Sequence, residues 1–130
     1  LKILVYSDDS SIRQNLINAL GKRLAPELPE NEILEFATGP ALRQYLDAKG
    51  KVDLFILDGE AAPEGGMGIA RQLKDEIFNC PPVMLIVARA EDHWLGSWSR
   101  AEDVVVYPID PFTFASRAAN LITPRTLAKN

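Results

Sequence analysis

The chain has 130 residues, 47% of them hydrophobic and 25% charged, with a formal net charge of −4. That size suits one domain able to bury a sizeable core, with the composition of an ordinary soluble protein. The acidic balance leaves no basic footprint for nucleic acid, no apolar run approaches membrane-spanning length, and a lone histidine excludes a histidine-rich metal site.

The opening LKILVYSDD lacks a signal-peptide layout, and because it starts on leucine a few leading residues are expected outside this numbering. Apolar runs and helical patterns then alternate five times. Ile3 to Tyr6 reads as a strand, and Ile12, Leu16 and Leu20 mark one face of the helix after it. Ala25 to Asn31, with two prolines, is a loop, and Ile33 to Ala37 a second strand. Thr38-Gly39-Pro40 opens a helix carrying Leu42, Tyr45 and Leu46, with Gly50 ending it. The third strand lies in VDLFILDGE, residues 52–60, and a glycine-rich loop (61–68) leads to a stripe of Ile69, Leu73 and Ile77, extended by Phe78. Pro81-Pro82 introduces a strand at Val83 to Val87. Cys80, the single cysteine, excludes an internal disulfide, fits a reducing cytoplasm and reads as a small packing residue. A short helix with Trp94, Leu95 and Trp98 precedes a strand at Val104 to Val106. Pro111 stands at the start of a last helix reaching Leu121 and Ile122, with Pro124 beyond its end.

Five strand–helix units predict an α/β fold: a parallel sheet with helices on both faces, in a single domain over 1–130. In VDLFILDGE a continuous apolar run, suited to a strand covered on both faces, stops on Asp58-Gly59. Asp58 would then stand at the carboxyl end of a central strand, where open α/β sheets place their sites. Its simpler role is that of a loop or helix cap.

These pieces together, ILVYSDDSSIR, DLFILDGE, Gly66, PPVMLIVARAED and VVVYPIDPF, resemble the receiver domain of two-component response regulators along nearly the whole chain. The resemblance implies a flavodoxin-like, doubly wound (βα)5 fold with strand order 2-1-3-4-5, no output domain and a phospho-accepting aspartate at Asp58. It implies Mg2+ held by Asp8, Asp58 and the backbone carbonyl of Glu60, since a carboxylate attacking a phosphoryl group needs a hard cation between two anions. The family's acidic pair falls on Ser7-Asp8, so one acid is a serine, while Asp9 should point elsewhere and cap the first helix. The family's hydroxyl falls on Val87, its lysine on Tyr107, followed by the usual Pro108, and its aromatic switch on Val104. The family's bond before that proline is cis, and the same is expected at Tyr107-Pro108.

Trp94 and Trp98, i and i+4, share a helical face, and core packing is expected of at least one. The span between Val87 and Tyr107 is shorter than usual for the family, so this helix should be abbreviated. Phe112 takes a position the family usually leaves polar and exposed, and Phe114 the core position. An exposed Phe112 beside a tryptophan would give an apolar patch on the family's output face, between the fourth and fifth helices, suited to a protein partner or a homodimer. The reading is an atypical, stand-alone, cytoplasmic receiver, not an enzyme, acting through a histidine kinase or another signalling protein, with phosphorylation at Asp58 weak or lost and Mg2+ weakly held. The alternative is a working phosphorelay receiver. A flavodoxin-like cofactor protein ranks below both, because SDDSS would repel a phosphate and no GxGxxG follows any strand.

Overall fold

Strand burial alternates between two faces of a single sheet. In the computed structural model, which describes residues 1–129 and their side chains through residue 122, the five strands are β1 (Lys2–Tyr6), β2 (Glu32–Phe36), β3 (Leu54–Asp58), β4 (Val83–Val87) and β5 (Asp103–Val106). All pairings are parallel, in the order β2-β1-β3-β4-β5, as the family resemblance implied. The helices are α1 (Ser10–Leu20), α2 (Gly39–Asp47), α3 (Gly66–Glu76), α4 (Leu95–Ser99) and α5 (Phe114–Lys129), with a 3-10 turn at Ala90–Trp94 before α4.

Odd and even strand positions feed separate cores, since successive side chains point to opposite faces. Ile3, Val5, Ile56, Met84 and Ile86 meet α1 and α5 through Leu16, Leu20, Phe114 and Ile122. Leu4, Tyr6, Phe55, Leu57, Leu85 and Val87 meet α2 and α3 through Leu42, Ile69 and Leu73. Both central strands, β3 and β4, are buried along their whole length, which is why they read as unbroken apolar runs. Each large side chain buried this way stabilises the fold by roughly 1.5–3 kcal/mol. Cys80 packs at the margin of the second core, as expected of it.

Three sequence expectations need correction. Phe78 is 97% exposed because α3 stops at Glu76 and the chain turns at Asn79, which has a left-handed φ of 55°. Gly50 does not end α2; Lys49, at φ 68°, makes the turn, and Gly50 instead lets the Tyr45 ring lie against the backbone. α5 begins at Phe114, after a turn through Pro111, and runs on through Pro124 to Lys129. An interior proline loses one i→i−4 hydrogen bond and crowds the carbonyl four residues back, which weakens or kinks a helix without always ending it.

Order 2-1-3 places α1 on one face and α2 and α3 on the other, so a crevice opens between the carboxyl ends of β1 and β3. Ser7 follows β1 there and Asp58 ends β3.

Candidate functional site

Ser7 and Asp58 are both buried, and they touch. The Ser7 hydroxyl donates to Asp58 Oδ2 at 2.7 Å and accepts the Asp9 N–H at 3.1 Å, which fixes the direction of its proton. The other Asp58 oxygen, Oδ1, accepts the Glu60 N–H at 2.9 Å. Ser7 itself is held on both sides: its N–H donates to the Phe36 carbonyl at 3.2 Å, and Arg13 Nη1 donates to its carbonyl at 2.6 Å. Gly59 is required beside this pair, because a Cβ there would sit 2.8 Å from the Ile86 carbonyl oxygen.

Asp8 is exposed at the crevice, and its Oδ1 accepts the Ala62 N–H at 3.2 Å. Asp9 turns away, as expected, and caps α1: its Oδ1 accepts from Ser11 N–H at 2.8 Å and Ser11 Oγ at 2.6 Å. The Ser11 hydroxyl and amide hold its carboxyl below the usual carboxylate range. The loop after β3 is anchored by Tyr6, whose hydroxyl donates to the Glu64 carbonyl at 2.6 Å, and by Arg43, whose Nη1 donates to Glu64 Oε1 at 2.8 Å. Burial, then the Glu64, Asp8 and Asp58 carboxylates, raise the Tyr6 phenol above its ordinary value, against the opposing pull of Arg43. Asp8, Asp58 and the Glu60 carbonyl offer hard oxygens of the kind Mg2+ takes, with a serine hydroxyl in place of one acid. Among the described residues, no three His, Cys, Asp or Glu side chains gather as a metal cluster.

Val87, at the end of β4, is fully buried in the second core. Tyr107 is half-buried against the first core, and its hydroxyl accepts a bond from Asn15 Nδ2 of α1 at 2.6 Å. The Tyr107-Pro108 peptide is cis, as expected, and so is Ala62-Pro63.

On the other side of β5, the expectation of a core tryptophan is wrong. Trp94 is 63% exposed and Trp98 44% exposed. The 3-10 turn and α4 are so short that Leu95, Gly96 and Ser99 fill the whole inner face, leaving both tryptophans outside. Gly96 lies so close to β5 that a Cβ would stand 2.4 Å from Val104 Cγ2. The Arg71 guanidinium lies 5.0 Å from the Trp98 ring centroid and donates to the Trp98 carbonyl, tying α4 to α3. Phe112 is 93% exposed and Phe114 buried, as expected. Between the 3-10 turn and α5 runs a groove of about 340 Å³, walled by His93, Val104, Val106, Pro108, Thr113 and Arg117.

Sequence reasoning missed Arg13, Asn15, Arg43 and Glu64; the partners of the last three lie far along the chain and carry no local signal. The signal available for Arg13 was its place one turn into the helix that follows Ser7.

No protein-family model matches the chain. It is 51% identical over 122 residues to an uncharacterised response regulatory protein of Mycobacterium tuberculosis, found in two strains, covering 94% of this chain and 91% of that one. The chain belongs to the response regulators. Its fold is that of their receiver domain: it superposes on the Francisella response regulator 1452 receiver domain with a TM-score of 0.79 at 18% identity, over 95% of this chain and 98% of that one. A response regulator receiver domain protein from Clostridium thermocellum gives 0.75 at 24% identity, over 98% of each chain. Receiver domains are signalling modules that meet histidine kinases and other proteins and generally hold Mg2+ at their phosphorylation site. Among the described residues of this receiver domain, no helix is long and apolar enough to cross a membrane.

Proposed function

We propose that residues 1–130 work as a single, cytoplasmic receiver domain that signals mainly by binding a protein partner, with phosphorylation at Asp58 weak or lost. The observation that carries this reading is the Asp58 carboxylate itself. Each of its oxygens is held by an internal donor, Ser7 Oγ or Glu60 N–H. The two groups that would hold an incoming phosphoryl group are lacking: Val87 has no hydroxyl, and Tyr107 has no ammonium charge. A charged hydrogen bond is worth about 1.5–3 kcal/mol and a neutral one about 1 kcal/mol. Their joint loss removes roughly 2–4 kcal/mol of phosphoryl stabilisation, about two to three decades in an equilibrium. No side chain placed here is a catalyst in its own right, and we assign the chain no enzymatic turnover.

Mg2+ bound by Asp8, Asp58 and the Glu60 carbonyl would offset charge between Asp58 and a phosphodonor. The donor types fit the ion, and Ser7 in place of an acid makes its hold weak. The partner face is taken to comprise the exposed rings of Trp94, Trp98 and Phe112, and suits a histidine kinase, another signalling protein or a second copy of the chain. The relay position carries Val104, which has no ring to swing, and this face is taken as competent without a phosphoryl signal. The second reading, a working phosphorelay receiver, draws support from Asp58 at the carboxyl end of β3 with Asp8 at the same crevice.

Intact-mass measurement after incubation with a small phosphodonor and magnesium separates the two. The proposal expects a minor phosphorylated fraction or none, and a large gain in Val87→Thr/Tyr107→Lys. Near-complete phosphorylation of the wild type, absent in Asp58→Asn, would establish the second reading.

A further inference from the structure

The exits of β3 and β4 are joined twice. The Gly59 N–H donates to the Ile86 carbonyl at 2.7 Å, and one residue further on the Glu60 side chain reaches across, its Oε1 accepting the Ala88 N–H at 3.3 Å. Four donors at the crevice are matched to carboxylates of the same chain: Ser7 Oγ and Glu60 N–H to Asp58, Ala62 N–H to Asp8, and Ala88 N–H to Glu60. The acceptor of Ala88, like that of Ala62, is an exposed carboxylate, but it stands on the longer glutamate side chain and is not part of the Asp8–Asp58 pair. Arg89, the neighbouring exposed cation, bonds to Asp92 through two hydrogen bonds and also feels the Glu60 charge, so it offsets part of that charge.

We infer that the Glu60 carboxylate is a tethered anion at the mouth of the Asp58 pocket, holding the Ala88 N–H in competition with any oxyanion that approaches Asp58. The contact is long and exposed, so Glu60 acts as a competitor that yields to a ligand, not as a seal. Its negative charge opposes the ligand as well as occupying the donor. This inference rests on reading Asp58 as the acceptor position.

Beryllofluoride with Mg2+, which mimics a phosphoryl group on a carboxylate, serves as the probe, and amide spectra of the 15N-labelled chain serve as the readout. Without ligand, Glu60→Ala should shift the Ala88 amide and speed its hydrogen exchange, leaving Gly59 bonded to Ile86. With the probe, Glu60→Ala should bind about tenfold more tightly than the wild type, and Glu60→Gln, which keeps an acceptor but loses the charge, should fall between them. An Ala88 amide indifferent to Glu60→Ala overturns the tether. An affinity unchanged within twofold overturns the competition. Probe binding that survives Asp58→Asn refutes the pocket reading beneath the proposal, whatever Glu60 does, and the Ala88 response then judges the tether separately.

Discussion

Ser7→Asp restores the second acid of the family's pair and should exchange an internal hydrogen bond for dependence on a cation. The substitution removes a buried hydroxyl-to-carboxylate bond of 2.7 Å, worth about 1.5–3 kcal/mol. It also sets a second carboxylate against Asp58, and two like charges about 4 Å apart repel by about 4 kcal/mol at an effective dielectric near 20, an upper limit that protonation of one of them relieves. The net destabilisation without metal should be about 2–4 kcal/mol. Unfolding entropy scales at about 2.1 cal/mol/K per residue, so for 130 residues each kcal/mol lowers Tm by about 4 °C, and the variant should melt about 8–16 °C below the wild type. Magnesium at a hundred times its dissociation constant stabilises by about 2.7 kcal/mol, returning about 10 °C. The wild type, near or below its dissociation constant, should gain about 2 °C or less. Ser7→Ala, which loses the bond without adding charge, should be destabilised and indifferent to magnesium. Circular dichroism melts with and without magnesium chloride, matched for ionic strength, measure all three proteins. A Ser7→Asp melting point equal to that of the wild type without magnesium, or a wild-type gain as large as the variant's, would refute the reasoning.

Gly96→Ala should cost about 1–3 kcal/mol, since its Cβ would lie 2.4 Å from Val104 Cγ2, and Val104→Ala in the same chain should recover part of that loss in urea unfolding. Glu64 has its pKa lowered by the Arg43 hydrogen bond, so the stability it contributes is present above the ordinary glutamate range and is lost as pH falls through the folded value. Because the pair is more than one-third exposed on either side, Glu64→Gln should lower stability at pH 7 by less than about 1 kcal/mol, and the difference should shrink in urea titrations as pH falls through the folded value of Glu64.

The five strand–helix units and the place of Asp58 were legible because they depend on local pattern: apolar runs of strand length, helical stripes between them, and a carboxylate where β3 meets its loop; the strand order came from the family resemblance. The short reach of those patterns explains what was missed. Ser7 and Asp58 are 51 residues apart and Asn15 and Tyr107 are 92 apart, so neither bond leaves a trace in local spacing. The tryptophans were misplaced because α4 has five residues, little more than one turn, and a period cannot choose the buried side of so short a helix. Pro124 was taken as a stop because a missing N–H usually ends a helix, yet α5 tolerates it. The serine at position 7 was read as a missing acid, which it is, but its hydroxyl also holds Asp58 in place.

The central claim is that partner binding does not require a phosphoryl group on Asp58. Its most direct test takes the protein partner that copurifies with the wild-type chain and measures its dissociation constant for wild type, Asp58→Asn and Phe112→Ala, with and without a phosphodonor. The account predicts that Asp58→Asn and the phosphodonor change affinity by no more than a few-fold, while Phe112→Ala, removing a ring that is 93% exposed, weakens binding by about 1–2 kcal/mol. Abolition of binding by Asp58→Asn, or strong enhancement by the phosphodonor, with Phe112→Ala neutral, would contradict it.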